Sequence, residues 1–307
     1  MRVALITTGR MELLALPGAL KAMFPAHEFV AEPRRPGEPF SGFTCKPVRA
    51  LSPSDPPGRA VELIRAALGT IKPADSSTVP CDIAVILEDL ELANRGNEAM
   101  VVEHVRQSAL YVLNGLGPAA KPEGVRRLLR EQVSFHLAVP MPESWFFGDP
   151  EVLQRAGVPE GRLPLLCAGC DPEDFLTDDP AYHSDDGASC TTWVERGRRM
   201  GKGDVRPFWL IERRREHPKA YMTWLARHPG PGDCTGYGET KQGGRALRQL
   251  RWSTVLANGA HFVYLRALVR DLEIALETPA VGIGVGGEEA RLTSVRQLPP
   301  DPILRNL

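Results

Sequence analysis

Three carboxylates within four residues close an apolar run in this chain: Ile83 to Leu87 is followed at once by Glu88, Asp89, Leu90 and Glu91. A wholly apolar run bounded by turn residues reads as a strand buried on both faces, as in a parallel sheet. Open α/β sheets bind their ligands at the carboxyl ends of such strands. Asp89 and Glu91 are two residues apart, so on an extended backbone their side chains share a face. A pair of hard oxygen donors in that position suits Mg²⁺. The competing reading is a strand that ends in a solvated acidic turn.

Other residues could join or rival that chemistry. Glu12 falls in the first turn of a helix that follows Gly9, where the helix dipole favours an acid on its own account. Glu143 and Trp145 lie just past a second strand with partial alternation, Val133 to Val139. If the two strands are neighbours, Glu143 faces the same crevice as Asp89. Cys167-Ala-Gly-Cys170, with His183 and Cys190 downstream, has the donors of a Cys₃His zinc site. It lacks the paired short spacing of a zinc ribbon or finger, which favours reduced thiols in an ordered loop. Gly282-Ile-Gly-Val-Gly-Gly287 follows a helix and precedes a Pro-rich tail, the wrong context for a nucleotide-binding loop.

Elements that must position these residues follow from periodicity. Arg2 to Thr7 reads as a first strand, and Met11 to Met23 as a helix interrupted by Pro17. Residues 31–58 read as a long Pro- and Gly-rich loop with one short strand. Helices follow from Pro56-Pro57 to about Ile71, from Asn97 to Leu113 and from Gly124 to Gln132. Asp149-Pro150 opens a short helix with Asp149 as its N-cap. The alternation of strands and helices predicts an α/β fold, mainly parallel, with helices on both faces. Asp171 to Asp186 holds seven carboxylates and no Lys or Arg, whereas Glu195 to Glu216 holds eight Lys or Arg against four acids. Beyond Pro218 the pattern is helical: Lys219 to His228, Thr240 to Trp252 and Ala260 to Glu277. The expected organisation is an α/β core over 1–156, an irregular acidic and Cys-containing insertion over 157–204, a helical part over 205–278 packing on the core, and a tail over 279–307.

Bulk properties bound the function. With 307 residues and 43% hydrophobic content, the chain can bury a sizeable core. A formal net charge of −1 gives no global sign of nucleic-acid binding. No run approaches the roughly 18 apolar residues that span a bilayer. Met-Arg followed by a short strand is not a signal peptide. A cytoplasmic protein with reduced cysteines and no membrane partner is expected.

The order of the acidic places resembles the Toprim fold of topoisomerases, primases and OLD-type nucleases. It is closest to a bacterial Toprim-related family encoded beside ABC-type ATPases and linked to phage defence. A strand and turn lead an acid into a helix at Glu12. An acid-x-acid pair closes a later strand at Asp89 and Glu91. Then come Glu143, Trp145 and Asp149-Pro150, and after them His217-Pro218-Lys219, Tyr237 and Lys241. The resemblance spans Val3 to Leu276 and implies Mg²⁺- or Mn²⁺-dependent cleavage of phosphodiester bonds in DNA or RNA, with an ABC-type ATPase as partner protein. It implies metal ligands at Glu12, Asp89 and Glu91, a further ligand or base at Glu143, and phosphate contacts from Lys219 and Lys241. Where the family pattern places a glutamate before the glycine of the first turn, this chain has Thr8. That replacement removes a charged ligand and raises the alternative of a catalytically degenerate scaffold that regulates or couples to the ATPase.

Overall fold

The structure is a computed structural model that describes residues 1–49, 56–117, 121–185, 213–227, 237–282 and 302–307. The chain forms two compact units, one of Met1–Val139 with Val263–Leu307, the other of Pro140–Phe262. Both boundaries differ from the blocks that composition suggests. The last helix belongs to the first unit, because its apolar stripe packs against a strand of that unit.

In the first unit the chain is α/β, with four parallel strands among the described residues. They are β1 (Arg2–Thr7), β2 (Glu28–Ala31), β3 (Ile83–Asp89) and β4 (Val133–Ala138), in the order β2-β1-β3-β4. The short strand expected within 31–58 lies earlier, where Phe29 and Val30 pair with Val3 and Ala4. Every residue of β4 and all but the last of β3 are buried. Successive strand side chains point to opposite faces, so both faces of the sheet are covered. The cover includes α1 (Arg10–Met23), α2 (Gly58–Ile71), α3 (Glu98–Asn114) and α4 (Pro122–Gln132), together with the final helix, Val263–Leu276, against β4. Helix α1 continues through Pro17, since the burial of Leu13, Leu16, Leu20 and Met23 outweighs one missing backbone donor.

Strand β4 lies at the edge of the sheet, and the last residues close that edge. Asn306 acts as a side-chain strand: its Oδ1 accepts from Phe135 N–H at 3.0 Å and its Nδ2 donates to Phe135 O at 2.7 Å. Beside it, Arg305 donates to Asp271 at 2.9 and 2.5 Å, and His136 Nε2 lies 3.0 Å from Asp271 Oδ2. Burial alone would raise the Asp271 carboxyl, but the bonds from His136 and Arg305 hold it below the usual carboxylate range.

The second unit is built from short helices around an aromatic core. Tyr221 stacks on Trp224 with ring centroids 5.6 Å apart, and Tyr182 meets both edge-on. Among the described residues its strand pairing is limited to a bridge between Leu166 and Thr177. The expected helix over 240–252 is broken into a π turn at Glu239–Gly243, a helix at Gly244–Arg248 and a further turn from Trp252. No helix among the described residues is long and apolar enough to cross a membrane.

Removing one partner of a buried charge group leaves the others unpaired. Asp271→Ala is therefore expected to cost about 3–5 kcal/mol, read as a fall in the urea midpoint. A change under about 1 kcal/mol, the scale of an exposed ion pair, would show that Asp271 fastens nothing.

Candidate functional site

The carboxyl ends of β1 and β3 bring two of the expected acidic places to one edge of the sheet. Thr7 pairs with Leu87, so Thr8 and Glu88 continue the two neighbouring strands side by side. Glu12 is buried, 2% exposed, and its carboxylate folds back over Gly9. A β-carbon at residue 9 would stand 2.0 Å from Glu12 Oε2, so this approach needs glycine. Asp89 ends β3 half-buried. Glu91 follows with φ 61° and ψ 150°, a backbone region that is normally left to glycine and costs about 1–3 kcal/mol.

Glu88, rather than Asp89, holds the centre of this edge. It is 0% exposed, and Thr44 closes over it from a preceding loop. Thr44 N–H donates to Glu88 Oε1 at 3.1 Å. The Thr44 hydroxyl lies 2.6 Å from Glu88 Oε1 and 2.6 Å from the Asp89 carbonyl oxygen. A hydroxyl has one proton and cannot donate it twice. The carbonyl has no proton to give. A protonated Glu88 satisfies all three atoms: its O–H donates to Thr44 Oγ1, which donates to the Asp89 carbonyl. Burial pushes the Glu88 carboxyl up to about 7, against hydrogen bonds from Thr44, Thr8 and the Phe43 backbone that pull it down. Asn94 fixes the same loop, donating to Thr44 O at 2.6 Å and accepting from Val48 N–H at 2.7 Å.

The donor chemistry of Glu12, Asp89 and Glu91 suits Mg²⁺ or Mn²⁺, but their arrangement does not. Among the described residues no three His, Cys, Asp or Glu side chains are placed to hold a metal ion. Glu12 is turned over Gly9, and the Glu88 carboxyl is committed to Thr44. The zinc alternative meets a similar obstacle. Cys167 donates to Asp178 Oδ2 at 2.7 Å, a bond that pushes the thiol up to about 11 and away from the thiolate a metal needs. His183 Nε2 is 3.0 Å from Thr177 O, and Cys190 lies outside the described residues.

The second unit assembles a separate group around Glu143, which opens the helix Glu143–Phe146 and is 3% exposed. Tyr237 O–H donates to Glu143 Oε1 at 3.2 Å, and Lys219 Nζ is 3.8 Å from the same oxygen. Lys219 also pairs with Glu239. Burial raises the Glu143 carboxyl above its ordinary value. Lys219 opposes the rise, Glu239 adds to it, and Tyr237 pulls slightly down. His217 aims Lys219: it caps the helix Pro218–Leu225 by accepting from Ala220 N–H at 3.1 Å, and burial lowers its own pKa to about 3. The ring is therefore a neutral cap at physiological pH, and Nδ1 is the acceptor. Asp149 caps Pro150–Arg155, as expected, and is clamped by Arg251 at 2.6 Å.

The structure thus brings Glu143 and Lys219 into contact, and adds Tyr237 and Glu239. Lys241 is exposed on the π turn, and no hydrogen bond or ion pair among the described residues joins it to that group. Sequence reasoning missed Glu239 and the central role of Glu88. The signal for Glu88 was its place as the first charge after five buried apolar residues. Comparison with protein-family models, with curated proteins and with solved structures finds no match to this chain.

Glu88 binds its proton more tightly when folded, at about 7 against an ordinary 4.5. Its contribution to stability is full below pH 4.5, and is lost as pH rises toward 7. Glu88→Gln removes that titration and loses one hydrogen bond at every pH, because an amide nitrogen in the place of Oε1 can donate to Thr44 Oγ1 but cannot accept from Thr44 N–H. Unfolding in urea across this range should show the variant gaining on the parent protein as pH rises, by a few kcal/mol at most. Parallel curves would contradict a neutral Glu88.

Proposed function

We propose that this chain is a Toprim-like protein that hydrolyses phosphodiester bonds in nucleic acid, acting with an ABC-type ATPase partner. The observation that supports it most is the Glu143 group. Three segments far apart in sequence meet there: Glu143, Lys219 and Tyr237 with Glu239. A buried carboxyl whose pKa is raised suits proton transfer near neutral pH. Lys219 is partly exposed beside it and can neutralise a phosphate oxygen where negative charge develops. Tyr237 holds the carboxyl in place through its O–H. Glu239 keeps the ammonium of Lys219 charged and oriented until an anion replaces it.

The resemblance would place Mg²⁺ or Mn²⁺ at Glu12, Asp89 and Glu91. As these side chains stand they form no cage, so the ion enters as an added component of the assay. A second reading is a non-hydrolytic scaffold that couples to the ATPase. Thr8 in place of a glutamate favours it, as does the engagement of Glu88 by Thr44.

The test is incubation of the purified protein with Mn²⁺ and plasmid DNA or RNA, alone and with the ATPase. Cleavage is expected, falling about 10²–10⁴-fold in Glu143→Gln, the usual scale for a lost acid or base, and also lost in Asp89→Ala. Absence of cleavage under every condition would leave the scaffold reading, and cleavage that survives Asp89→Ala would exclude the strand-end acids. Glu91→Gly should separate stability from activity. It relieves backbone strain, raising stability by about 1 kcal/mol, while cleavage falls. A destabilised Glu91→Gly protein would show that the side chain serves the fold.

A further inference from the structure

The amino end of β3, away from the acidic edge, borders a cavity of about 680 Å³ that neither the Glu143 group nor the strand-end acids use. Three cations line it: Lys72 at the end of α2, Lys121 at the start of α4, and Arg127 nearly two turns further along α4. No ion pair engages any of the three among the described residues. Asp82, which accepts from Arg2 N–H at 2.6 Å, sets one carboxylate in the wall against the three cations, and Glu123 on α4 faces Arg126 at 3.9 Å. Three like charges around one hollow repel each other, and an anion would relieve that repulsion.

Other parts of the wall narrow the class of anion. Val125 and Leu128 give it an apolar side, which inorganic phosphate would not use. Gln132 also borders the cavity. The volume falls within the roughly 300–1,000 Å³ of small-molecule sites.

We infer that this cavity binds a small phosphorylated organic anion of mononucleotide size, its phosphate held by Lys72, Lys121 and Arg127 and its apolar ring against Val125 and Leu128. This site is independent of the proposed hydrolysis, because it shares no residue with either group described above.

Calorimetric titration of the full chain with an adenosine mononucleotide, the unphosphorylated nucleoside, inorganic phosphate and a single-stranded oligonucleotide tests it. The mononucleotide should bind, and added salt should weaken it. The nucleoside should not bind, and inorganic phosphate should bind at least tenfold more weakly than the mononucleotide. Arg127→Glu and Lys121→Glu, both at exposed positions, should each reduce mononucleotide affinity at least tenfold and leave the urea midpoint unchanged. Failure of the mononucleotide to bind, equal binding of the nucleoside, or affinity that survives both charge reversals would overturn the proposal. Phosphate binding as tightly as the mononucleotide would overturn the organic part of it. An oligonucleotide that binds far more tightly and loses affinity in the same variants would assign the cavity to a nucleic-acid backbone instead.

Discussion

The carboxyl group of Glu88 has no contact with solvent, and much of the first unit is arranged around that fact. An ionised carboxylate in such a place is costly unless it is paired with a charge, and the groups that reach it are the hydroxyls of Thr44 and Thr8 and backbone amides rather than a cation. Keeping the proton is the cheaper solution. It also accounts for the loop that carries Thr44: the hydroxyl links Glu88 to the Asp89 carbonyl, and Asn94 anchors the same stretch through Thr44 O and Val48 N–H. The strand end, the loop and the turn after β3 are thereby one hydrogen-bonded unit.

Glu143 in the second unit is buried to a similar extent but keeps different company. Its neighbours include the ammonium of Lys219 and the carboxylate of Glu239, so the cation beside it is held by a second carboxylate that an incoming anion can replace. Glu88 is a closed group and Glu143 a poised one. This contrast places proton transfer and phosphate contact at Glu143 in the proposed hydrolysis, and leaves the strand-end acids as the part whose present arrangement least resembles a cation site.

The central strands were legible because β1 and β3 are short apolar runs with sharp ends. β4, with Ser134 and His136 among its residues, read as a strand from partial alternation, and β2 at Glu28–Ala31 was not anticipated. The N-cap at Asp149 was legible from the Asp-Pro pair alone. The return of the final helix to the first unit was not, because periodicity shows which face of a helix is apolar and not what will cover it. Asn306 as a substitute strand was equally hidden, since a side-chain amide completing a backbone ladder leaves no pattern in sequence. At the candidate site, residue types pointed to acids at Asp89 and Glu91, and the structure moves the weight to Glu88. Two adjacent acids at a strand end point to opposite faces, and sequence alone did not say which face the Thr44 loop would seal. The pairing of Lys219 with Glu143 was not anticipated, since the resemblance named the two residues for separate roles. Glu239 entered because the π turn sets it against Lys219.

The most direct test of this account is the carboxyl carbon of Glu88 itself, followed by NMR through a pH titration and assigned by comparison with Glu88→Gln. A protonated Glu88 shared with Thr44 predicts a midpoint near 7, well above the ordinary 4.5. A midpoint at or below 4.5 would mean that the group is ionised in the folded protein, and would contradict the closed strand end on which the account depends.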